Sequence, residues 1–181
     1  MVERIIRIIR LDFPVFKEIE SDPNATTEAA IVVAVSSVLS AIGSAVGSHR
    51  PVLVFFSGVI GGILGWIVWS CVSHFIGQAM FKSKGTVENM LRVIGYANAP
   101  RLLGIFGFIP CLRALASLIG AILALIAGIM AIREGLDLEL GQAIIVAVVG
   151  WVALFIISII IGAIFGVGAA GVGLVSGAVT R

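Results

Sequence analysis

Long apolar stretches divided by short polar knots constrain this chain more than any other feature. One runs roughly from Thr27 to Gly47 and a second from Val52 to beyond His74, parted by Ser48-His49-Arg50-Pro51. Each supplies the roughly 20 apolar residues that a helix needs to cross a 30 Å hydrocarbon layer. Composition decides which solvent they meet. Of the 181 residues 60% are hydrophobic and only 12% are charged, about half the charge of an ordinary soluble domain. A water-soluble domain of this size leaves a large part of its surface wet and has nowhere to hide so much apolar area. The chain therefore reads as all-α, a polytopic transmembrane helix bundle. A net charge of +2, with acids mixed among the bases, points away from nucleic acid.

The polar intervals carry their own pattern. In Met1–Leu11, Ile5, Ile6, Ile8, Ile9 and Leu11 recur at helical spacing, with Arg4, Arg7 and Arg10 between them. Such a helix lies either in the headgroup plane, arginines toward anionic lipid, or against the rest of the protein. Asp12, Glu18, Glu20 and Asp22 separate these arginines from the first apolar run, which is unlike a secretory signal. Asp22-Pro23-Asn24 reads as a helix start, with Asp22 as N-cap and Pro23 at the first helical position. From Phe81 to Arg101, the residues Lys82, Lys84, Glu88, Arg92 and Arg101 surround Met90, Leu91, Val93, Ile94 and Tyr96. That pattern predicts an amphipathic interfacial helix ending before Pro100. Arg4, Arg7, Arg10, Lys82, Lys84 and Arg92 are accordingly the candidate membrane-surface residues.

The second half is harder to divide. Leu102–Leu112 gives only about 17 Å of helix between Arg101 and Arg113, and Pro110 interrupts it. It reads either as a short span with snorkelling arginines or as a re-entrant hairpin. Ala114–Ile132 is an ordinary span, Arg133–Gly141 a polar turn, and another span begins near Gln142. With five crossings and the N-terminus inside, the inner face carries Arg4, Arg7, Arg10, Lys17, Lys82, Lys84, Arg92, Arg101 and Arg133. That leaves Arg50, Arg113 and Arg181 outside. If the short run does not cross, only Arg50 and Arg133 lie outside, so both topologies satisfy the positive-inside rule. Gln142–Thr180 carries no charge and would extend roughly 58 Å as one helix. Gly166-Val167-Gly168 and Gly171-Val172-Gly173 are the places for it to break.

No catalytic, cofactor or metal constellation stands out. There is no HExxH, GxSxG or P-loop pattern. Cys71 and Cys111 lack metal-type spacing, fall at different expected depths, and are not expected to form a bridge within one chain. His49 and His74 belong to opposite ends of the second span, and His74 is expected to hydrogen-bond a carbonyl or a neighbouring helix. Among the 22 glycines, Gly58, Gly61, Gly62 and Gly65 form the strongest cluster with four-residue spacing. They are the candidate helix-packing residues, since such a face lets backbones approach closely. Trp66, Trp69 and Trp151 do not mark span ends as an aromatic belt would, and Trp151 is expected inside the bundle or against another protein.

Several segments are familiar together. Arg10-Leu11-Asp12-Phe13-Pro14-Val15-Phe16-Lys17-Glu18-Ile19-Glu20 with Asp22-Pro23-Asn24-Ala25-Thr26 resembles the N-terminal lead of prokaryotic members of the Yip (Ypt-interacting protein) domain family. Gly85-Thr86, continuing to Leu91-Arg92-Val93-Ile94-Gly95-Tyr96-Ala97-Asn98-Ala99-Pro100, resembles the segment between that family's second and third spans. Ile132-Arg133-Glu134-Gly135-Leu136 resembles its turn before the last span. The resemblance covers most of residues 1–160. It implies about five spans, near 27–47, 52–76, 99–112, 114–132 and 142–164, after a cytoplasmic lead of residues 1–26 and before a glycine-rich tail, 165–181. On that topology the N-terminus is cytoplasmic, the C-terminus lies outside, and the membrane is the inner membrane of a prokaryotic cell. Eukaryotic relatives associate with small GTPases of the Ypt/Rab type through longer N-terminal regions, so GTPase binding is not expected here. The expected function is non-enzymatic: helix association with itself or with other integral membrane proteins, as scaffold, organiser or accessory subunit. A small transporter or channel is the alternative.

Overall fold

The computed structural model describes residues 1–46, 48–102 and 110–165, without the side chains of 110–117, 157, 158 and 160–165. The regular elements among them are helices: α1 Val2–Ile9, α2 Val15–Ser21, α3 Ala25–Ala45, α4 Pro51–Phe81, α5 Val87–Ala97, α6 Pro110–Gly135 and α7 Leu140–Phe165. Ala25–Ala45, Pro51–Phe81 and Leu118–Gly135 are long and apolar enough to cross a membrane, and Leu140–Ile156 adds a shorter apolar helix. The fold is an all-helical membrane bundle.

Local chemistry sets the helix ends. α4 opens on Pro51, whose fixed φ suits a first turn. It closes on Lys82 in the left-handed region (φ 52°), where Lys82 N–H donates to Gln78 O and Ser83 N–H to Gly77 O, a Schellman-type ending. The Thr86 hydroxyl caps α5, accepting the Asn89 N–H at 3.1 Å. α3 starts later than Asp22-Pro23-Asn24 suggests: Asp22 carboxylate accepts the Asn24 N–H at 2.9 Å, and helix begins at Ala25. Pro110 also differs from expectation. It opens α6, so Cys111 and Arg113 fall within that helix. Of the short run Leu102–Leu112, residues 103–109 lie outside the described residues, as does the glycine-rich tail from 166 onward.

The densest packing is at the end of the bundle that carries the N-terminus. Ile8, Phe16, Ile19, Met90, Tyr96 and Leu136 are fully buried there. α5 is the hub. It packs on α2, α3, α4 and α6 and buries Met90 and every residue from Arg92 to Ala97. α5 is thus enclosed by protein, where the sequence pattern suggested a helix lying on an interface. Away from this end, large apolar side chains point outward, among them Phe56, Ile60 and Leu64 of α4 and Val148, Val152 and Phe155 of α7. That distribution is what lipid as the outer solvent requires.

Candidate functional site

Two polar features interrupt the apolar bundle. The first is an ionic collar at the N-terminal end. Arg4 reaches the carboxylates of Asp22 (2.7 Å) and Glu28 (3.2 Å), while the Met1 ammonium lies 3.5 Å from Glu28. Tyr96 donates its hydroxyl to the same Glu28 carboxylate. Arg7 pairs with Asp12 (2.6 Å) and Glu18 (2.8 Å). Lys17 bridges Glu20 (2.9 Å) and Asp137 (2.6 Å), tying α2 to the turn after α6. The Arg4 hydrogen bond holds the Asp22 carboxyl below the usual range, and the Arg7 bond does the same for Glu18. Arg4 and Arg7 are raised above their ordinary values by the same hydrogen bonds, and Lys17 by its bonds to Asp137 and Glu20.

Of the candidate surface cations, Arg10, Lys82 and Lys84 are exposed. Arg92 is not. It is 8% exposed; its Nε donates to Thr26 Oγ1 (2.8 Å), Nη1 to the Glu20 carbonyl (2.9 Å) and Nη2 to the Glu88 carboxylate. Its charge organises the junction of α2, α3 and α5, a correction to the surface role read from its position in an amphipathic stretch. Arg4 and Arg7, likewise, direct their guanidinium groups to the protein's own carboxylates. α1 shows both faces anticipated for it: Ile8 is buried, while Val2 and Ile6 are exposed.

The second feature is a cavity of about 700 Å³ between α4 and α6. The four glycines of α4 divide around it. Gly58 and Gly62 face α3, where a Cβ on Gly58 would come within 3.0 Å of the Ala41 methyl and one on Gly62 would overlap the Ser37 side chain. Gly61 and Gly65 have nothing within 4 Å of that position and line the cavity. With exposed Ser57 they form an open stripe at four-residue spacing. Gly120, Ala124 and Gly128 of α6 form the opposite wall.

All three tryptophans line this cavity. Trp66 is anchored by its indole N–H, which donates to the Leu91 carbonyl at 3.0 Å. The missing side chain of Gly95 lets α5 approach both Ala29 and that indole. Trp151 is 66% exposed and stacks on Phe155 at 6.0 Å, so it faces outward from α7 and is not inside the bundle. Asn98 and Arg101 supply the polar wall. α5 ends at Ala97, and a tight 3₁₀ turn follows over 99–102. The Pro100 carbonyl then lies 3.5 Å from where a Cβ on Gly120 would sit. Gly120 is well inside α6, and Trp66 is the midpoint of α4. Arg101 therefore sits at mid-bundle depth, whereas the sequence placed it at the inner interface. Its signal was available: an arginine directly after a proline break, opening a run too short to cross.

His74 is buried at 8% exposure, and its Nδ1 makes no hydrogen bond in the structure, contrary to the partner expected for it. Cys71 is a free thiol; the Cys111 side chain lies outside the described residues. Among the described residues no three histidine, cysteine or acidic side chains gather as a metal site.

In comparisons with known proteins, a family model described as Yip1 domain matches residues 11–162. No curated protein and no solved structure matches the chain.

Proposed function

The chain belongs to the Yip1 domain family and is a membrane protein, and on that premise we propose that it acts without catalysis, by associating with other membrane helices as a scaffold, organiser or accessory subunit. The open stripe Ser57–Gly61–Gly65 carries this reading. Small residues turned toward lipid gain nothing from it, since an acyl chain packs as well on leucine; they permit close backbone approach by another helix. The partner is a second copy or another integral membrane protein. The proposal includes the N-terminus in the cytoplasm of a prokaryotic cell, with Arg10, Lys82 and Lys84 toward anionic headgroups. Blue-native separation of membranes solubilised in mild detergent tests the association. Gly61→Leu with Gly65→Leu is expected to release the variant chain from the larger assembly that the wild type forms. An unchanged assembly in that variant contradicts the reading.

One observation favours a second reading, a small transporter. Arg101 lines a cavity at the 3₁₀ turn that follows α5, and discontinuous helices build transport sites in membranes. Uptake of a labelled anion by protein-containing vesicles, lost in Arg101→Gln, distinguishes it from a purely associative role.

A further inference from the structure

We infer that the cavity between α4 and α6 binds an anionic amphiphile, its acidic head on Arg101 and Asn98 and its acyl chain along the tryptophans and the glycine walls. The first ground is charge. Every aspartate and glutamate lies in segments 3–28, 88 or 134–139, all of which belong to the N-terminal end of the bundle. Arg101 lies near the middle, beside Gly120. Among the described residues no aspartate or glutamate lies beside it, and ionisable groups within a bilayer pair with an opposite charge or a backbone carbonyl. The planar guanidinium fork fits a carboxylate or a phosphate, and the Asn98 amide, which donates one N–H to the Ile94 carbonyl at 2.9 Å, keeps a second beside it.

The second ground is size and shape. About 700 Å³ falls within the roughly 300–1,000 Å³ range of small-molecule sites. Gly120 and Gly128 leave the α6 wall without side chains at those two positions, and the anchored Trp66 presents a fixed apolar ring. The third ground is the composition of the lining, which is mostly apolar with one cation, one amide and the serine Ser40. That is the pattern of a head-and-tail ligand.

Trp66 and Trp69 line the cavity, so in a Trp151→Phe background, which removes the outward-facing ring, intrinsic fluorescence reports its occupation. The full chain is placed in phosphatidylcholine vesicles containing graded fractions of brominated phosphatidylglycerol, brominated phosphatidylcholine or a brominated fatty acid. Quenching by at least one anionic probe is expected at about fivefold lower fraction than by the zwitterionic probe. Which anionic probe is preferred tells a phospholipid phosphate from a fatty-acid carboxylate. Arg101→Gln is expected to bring the anionic curves onto the zwitterionic one, and Arg101→Lys to keep part of the preference. Gly128→Leu, which fills the cavity from the α6 wall, is expected to weaken quenching by all three probes. Coincident curves in the wild type, or a preference that survives Arg101→Gln, overturn the inference. None of these variants alters the Ser57–Gly61–Gly65 stripe, so loss of lipid preference and loss of helix association are read separately.

Discussion

At the scale of single residues, Arg92 is the clearest case of chemistry hidden behind a surface-like pattern. Three of its nitrogens are engaged by three different segments, and the side chain is 9% exposed. Arg92→Met keeps the length of the side chain and removes those bonds. It is expected to destabilise the protein by about 3 kcal/mol, read from detergent unfolding, because hydrogen bonds to charged groups contribute about 1.5–3 kcal/mol each and Thr26 and the Glu20 carbonyl lose a donor. The collar around α1 predicts a pH response. Asp22 and Glu18 are held below the usual carboxylate range, so their contribution is present above the ordinary values and is lost as pH falls through the lowered ones. Hydrogen-exchange protection of α1 is expected to be retained at neutral pH and to disappear progressively below about pH 4. Protection unchanged in strong acid contradicts the collar. The sequence showed that Arg4, Arg7 and Arg92 interleave with apolar residues, but it could not show which acids lie opposite. Those partners are 18 residues away for Arg4–Asp22 and 66 for Arg92–Thr26, beyond any local pattern.

At the scale of elements, the short helices depend on their caps more than the spans do. α5 has 11 residues, near the lower limit at which a helix holds without tertiary help. Its Thr86 hydroxyl satisfies the Asn89 N–H. Thr86→Ala is expected to cost about 1 kcal/mol, seen as faster exchange of the Asn89 amide relative to Val93. Equal exchange in both proteins refutes a working cap. Helix existence was legible from hydrophobic runs and from Pro51, because a long apolar stretch in lipid has few alternatives. The enclosure of α5 was not legible. Periodicity reveals that one face is apolar, but Gly95 and the small Ala97 face close neighbours on the remaining sides, and nothing local records that. The division of the α4 glycines was similarly silent. Spacing groups Gly58 with Gly62 and Gly61 with Gly65, yet only the position of α3 decides which pair is covered.

At the scale of the whole molecule, the bundle has two unlike halves. The N-terminal end is tightly packed and laced with ion pairs; the remainder exposes large apolar side chains and one stripe of small ones. A protein built to face lipid throughout would carry bulky side chains at Ser57, Gly61 and Gly65 as it does at Phe56, Ile60 and Ile67. The contrast between these two faces of α4 is the central claim of the associative reading, and cysteine scanning tests it directly. In a background of Cys71→Ala and Cys111→Ala, single cysteines are placed in turn at positions 56, 57, 60, 61, 65 and 67 and oxidised in native membranes or treated with a short thiol cross-linker. Helix association through the open stripe predicts discrete protein cross-links at 57, 61 and 65 and none at 56, 60 and 67. Cross-links absent at the stripe, or equally frequent around the helix, would contradict it.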